Sequence, residues 1–111
     1  MLREIKETDW KLLRQMVPVA LERFCQRILG ELDRIGSDSA KSHHQRYLDI
    51  FAVLQRRDQE IAQAFNDRRR STALTQLAAI YSHGLLMEEE FVRFSPETRS
   101  VIELLLARRP A

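Results

Sequence analysis

Glycine and proline are scarce in this chain, three of each in 111 residues. That scarcity leaves too few turn formers for an all-β fold. A single cysteine, Cys25, rules out an internal disulfide, so nothing here calls for an oxidising compartment. No apolar run approaches the roughly 18 residues a membrane span requires. The opening MLREIKETDW is charged throughout and lacks the apolar stretch of a signal peptide. A cytoplasmic location with no membrane association is the expectation. Lysine is nearly missing too, three against fifteen arginines, in a chain of net charge +2. Acidic residues alternate with many of those arginines, as in Glu22-Arg23, Asp33-Arg34 and Arg57-Asp58. Such mixing describes a solvated helix surface rather than a polyanion-binding face.

What is present is a helical pattern. Trp10, Leu13, Val17, Leu21, Phe24, Ile28, Leu32 and Ile35 form a ladder of three- and four-residue steps. It returns to itself every eleven residues, a period near 3.67, close to that of an α-helix and far from a strand's 2.0. Leu12, Met16, Ala20, Cys25 and Leu29 flank the ladder and widen the apolar stripe, which implies more than one packing neighbour. The expected fold is all-α, an antiparallel bundle of four to five helices without β-strands, in one domain spanning 1–111.

The expected helices are 9–16, 18–35, 40–65, 73–82, 88–94 and 96–108. Thr8 or Asp9 can cap the first. Pro18 either bends one rod or separates two, since proline brings no N–H and crowds the carbonyl four residues back. Gly36 suits the left-handed position after a helix end, and Ser37, Asp38 and Ser39 can cap the 40–65 helix. The inner line of that helix reads Tyr47, Phe51, Leu54, Ile61 and Phe65, with Asp58 where an apolar residue is due. Asp58 is either a polar pin inside the core or, if the helix rotates slightly, a solvent-facing residue. The stretch NDRRRST, 66–72, holds no apolar side chain and reads as a turn. Ser71 or Thr72 would cap the next helix, which faces inward with Leu74, Leu77, Ala78 and Tyr81 and stops at Gly84. Ser95-Pro96-Glu97 then has the chemistry of a helix start.

Leu74, Leu77 and Ala78, then Gly84-Leu85-Leu86, then Glu89-Glu90-Phe91 make the stretch 74–94 resemble the short carboxy-terminal helical hairpin family called SHOCT. That resemblance implies a small interaction or oligomerisation module. Met87 stands where the family pattern has a capping Thr or Ser, and a further helix follows. The whole chain also resembles small bacterial helical proteins, some labelled as peptide chain release factors. The Gly-Gly-Gln that would carry release chemistry is absent here.

Individual chemistry-bearing residues have plain structural uses. His43 and His44 are adjacent, so on a helix they diverge by about a third of a turn. Metal-binding helices space histidines by four, and no metal site is expected. Cys25 lies along an apolar stripe, as an inert buried thiol does. Arg56, Arg57, Arg68, Arg69 and Arg70 are candidate phosphate contacts, yet no aromatic residue is interleaved with them for base stacking. Paired carboxylates, a phosphate loop and a nucleophile elbow are all missing, so no catalytic residue and no cofactor is expected. The expected function is therefore a non-catalytic protein–protein interaction or oligomerisation module, meeting another protein or itself. Leu104, Leu105, Leu106, Leu85 and Leu86 are its candidate surface. The alternative is an arginine-rich helical protein that binds RNA or DNA.

Overall fold

A computed structural model describes residues 4–67 and 69–107. Five α-helices follow one another: α1 (Glu7–Gly36), α2 (His43–Phe65), α3 (Ala73–Ser82), α4 (Glu88–Phe91) and α5 (Pro96–Ala107). A 3-10 turn, Arg70–Thr72, leads into α3, and there is no strand among the described residues. The all-α fold follows from the periodicity alone. The molecule is elongated, 53 × 28 × 24 Å. α1 and α2 form a long antiparallel hairpin, and α3, α4 and α5 pack around one end of it.

α1 is one helix across Pro18, not two. Pro18 is exposed, so water can reach the Arg14 carbonyl whose helical donor it removes. The core face also sits a little to one side of the ladder. Leu13, Met16, Ala20, Phe24 and Ile28 are buried, whereas Trp10, Val17, Leu21 and Leu32 are only partly covered. Gly36 does not take the left-handed conformation: among the described residues only Gly84 has a positive φ. α1 instead ends on Ser37, whose N–H and hydroxyl both donate to the Asp33 carbonyl, at 3.0 and 2.7 Å. Arg46 of α2 donates to the Gly36 carbonyl at 2.7 Å and ties the two helices together at the loop. Ser42 caps α2 by accepting from the Gln45 N–H at 3.0 Å.

Gly84 ends α3 with φ 68°, while Gly84 and Leu85 donate backward to the carbonyls of Tyr81 and Ile80. This turn needs glycine for its backbone, not for space, since an added Cβ would meet only the Arg27 guanidinium at 3.7 Å. Gly84→Ala is expected to cost about 1 kcal/mol in chemical denaturation. A loss above about 3 kcal/mol would show that space, not backbone, governs the position. α4 is a single turn, shorter than expected, and Phe91 and Phe94 beneath it are buried. Phe91 stacks on Tyr81 with ring centroids 4.0 Å apart.

Asp9 does not cap its own helix. Lys6 holds the N-cap position of α1 without a side-chain capping bond, and Asp9 is buried against the start of α5. Its carboxylate accepts from the Ser95 N–H (3.0 Å), the Ser95 hydroxyl (2.6 Å) and the Thr98 hydroxyl (2.7 Å). The two N-terminal regions are thereby locked together.

Candidate interaction surface

α2 decides where the chain meets its surroundings. Its buried or half-buried line runs through Ile50, Val53, Arg57, Ile61, Ala64 and Phe65. The expected inner line is correct only at Ile61 and Phe65. Tyr47, Phe51 and Leu54 are 64, 51 and 47% exposed, and Leu48 beside them 42%. Asp58 continues this outward line and is exposed, which explains the polar residue in an apolar ladder.

The rotation has a visible cause. Arg57 forms a two-bond pair with Glu31 of α1, at 3.0 and 3.3 Å, and a 2.7 Å bond to Glu60 one turn on. Arg57 is thereby held above the ordinary guanidinium range, chiefly by its hydrogen bond to Glu31. Glu31 is pulled below the usual carboxylate range by the same bond. At the loop end α2 has only α1 to pack on, so one seam is all it can bury there.

The surface expected from the sequence is placed differently. Leu85 and Leu86 are buried beneath the α3–α4 turn and cannot serve as a contact surface. Two arginines of α1 clamp that turn. Arg23 donates to the Leu85 carbonyl (2.9 Å) and, through both terminal nitrogens, to Glu90 (2.6 and 3.0 Å). Arg27 donates to the carbonyls of His83 and Gly84. Glu90 also accepts from the Met87 N–H at 2.8 Å, which supplies the start of α4 with a side-chain acceptor although residue 87 is methionine. On α5, Leu105 and Leu106 pack partly against the core and only Leu104 is exposed. The two adjacent leucines Leu85 and Leu86 carry no signal in a linear sequence that separates burial from display.

The candidate phosphate contacts are dispersed and mostly occupied. Arg57 is the pair described above. Arg69 holds Asp67 through two nitrogens and drives that carboxyl far down. Arg70 donates to Glu7 at 2.6 Å and to the Ile5 carbonyl at 3.0 Å, fastening the amino-terminal segment. Arg56 is exposed, and Arg68 lies outside the described residues. A guanidinium already spanned by a carboxylate presents little net charge to a phosphate.

Three grooves lie on the surface of the described residues, one of them, about 330 Å³, between α2, α3 and α5 beside Gln63, Thr75 and Leu105. Another, about 630 Å³, brings Glu31, Glu60 and His83 together beside Arg57 between α1 and α2. Both carboxylates are taken by Arg57, and Glu31 is lowered rather than raised. The groove is thus lined by an ion-pair network, with His83 Nδ1 3.9 Å from the Glu60 carboxylate at its edge. The third, about 360 Å³, lies along Trp10, Val17, Pro18 and Leu21. His43 and His44 are exposed at the first turn of α2, and no cluster of three or more metal-ligating side chains occurs among the described residues. No described helix is long and apolar enough to cross a membrane. Compared with protein-family models, with curated proteins and with solved structures, the chain matches none.

Proposed function

We propose that this protein is a non-catalytic helical module that works through protein–protein contact, with the outward face of α2 as the contact surface. One observation carries the reading: Tyr47, Leu48, Phe51 and Leu54 stand together in solvent on a regular helix whose other face is already satisfied. By the size of such side chains they expose roughly 400 Å² of apolar surface, in the range where patches on monomers are often functional. Two aromatic rings at its centre suit it to specific contact, because they offer area at small rotamer cost. The solitary Cys25 favours a cytoplasmic setting. Nucleic acid binding has no comparable support, since three of its five candidate arginines are spent on carboxylates.

A photo-crosslinking amino acid at position 51, in cells producing the full chain, tests this. Position 51 is expected to yield defined protein adducts that a probe at exposed Arg93 does not. Absence of any adduct at 51 would refute the contact role.

A further inference from the structure

The outward face of α2 has a self-complementary order. His44, Leu48, Phe51, Gln55 and Asp58 succeed one another at steps of four, three, four and three, the spacing of a helix–helix seam, and Tyr47 and Leu54 widen it at the middle. The seam is apolar at its centre and carries a histidine near one end and a carboxylate at the other. We propose that this face takes the same face of a second copy of the chain, the two α2 helices crossing antiparallel about a two-fold axis at Phe51, a pairing that rests on the reading of the face as a contact surface.

In that register Phe51 meets Phe51, Leu48 lies opposite Leu54, Tyr47 opposite Gln55, and His44 opposite Asp58. A two-fold interface must use one patch twice, and this patch is complementary to itself only when reversed. The parallel alternative sets Asp58 against Asp58 and His44 against His44, like facing like. The fold also leaves this face free for the pairing. Each copy brings a two-helix hairpin in which α2 has a single seam at the loop end, and pairing through its outward face gives α2 a second one. Two copies bury roughly 800 Å² of apolar surface before the polar rim is counted, which is small for a specific interface. The dimer is accordingly reversible and concentration-dependent.

Sedimentation velocity of the full chain over a wide concentration series is expected to show mass rising from 13.1 kDa toward twice that value. Phe51→Glu is expected to raise the dissociation constant at least tenfold while leaving the circular dichroism spectrum unchanged, since Phe51 is exposed in the single chain. Register is read by disulfide trapping in a Cys25→Ser background. Phe51→Cys is expected to cross-link, whereas Asp58→Cys is not, because fourteen residues of helix hold the two copies of that position about 21 Å apart. A monomer at every concentration, a dimer indifferent to Phe51→Glu, or equal cross-linking at both positions would overturn the pairing. Photo-adducts at position 51 of a mass other than the dimer's, from a chain that stays monomeric, would remove the second copy as occupant while keeping the contact role. No adduct at all would remove both.

Discussion

Phe24→Ala is expected to destabilise the protein by about 3–5 kcal/mol, the range for emptying a buried aromatic site. Phe24 is 6% exposed at the middle of α1. Its ring lies 6.4 Å from Phe65 at the end of α2 and 5.2 Å from His83 at the end of α3. Truncation opens a void where three helices meet, and none of the three can close it without leaving its other contacts. A loss of that size is a large share of the 5–15 kcal/mol that stabilises a typical domain. Phe51→Ala supplies the contrast: the same residue type, again on a long helix, but exposed. Measured by urea denaturation at dilute protein, it is expected to change stability by less than about 0.5 kcal/mol. Similar losses at both positions would contradict the burial that separates core from contact face.

Asp9→Asn is the second large effect, about 2–3 kcal/mol at neutral pH. The carboxylate takes three hydrogen bonds from Ser95 and Thr98, and bonds to a charged acceptor are among the stronger ones. Burial is the largest single influence on Asp9 and pushes its carboxyl up. The bonds from Ser95 and Thr98 together outweigh it, with help from Lys6, and the pKa falls below the ordinary 3.8. A carboxyl more acidic when folded than when unfolded contributes stability that is fully present above the unfolded value. That stability is lost as pH falls through the folded one. The gap in melting temperature between wild type and Asp9→Asn is therefore expected to be widest near pH 7 and to narrow below about pH 4. A gap that stays constant down to pH 3 would show that the charge of Asp9 contributes nothing.

These two residues also show which kinds of inference a linear sequence supports. Phe24 belongs to a ladder whose period names the helix and whose centre names the core. Asp9 has the look of a cap for the nearest helix, because capping rules see only neighbours in sequence. Its partners stand 86 and 89 residues away. The α2 helix carries two competing apolar lines, Tyr47–Phe51–Leu54 and Ile50–Val53–Ile61. Choosing between them requires knowing that α1 alone covers its first half and that Arg57 locks onto Glu31. The one hint is Asp58, an acid in line with the aromatic set.

Read unaided, the chain determined its all-α character, the turn at Gly84, the start of α5 and the absence of strands among the described residues. These depend on capping, on period and on backbone freedom, all set within a few residues. Tertiary structure alone decided that α1 runs unbroken past Pro18, that Leu85 and Leu86 are hidden while Tyr47 and Phe51 are displayed, and that most of the charged cluster is spent on internal pairs. A helix has a face before it has a neighbour, but only the neighbour determines how much of that face water loses.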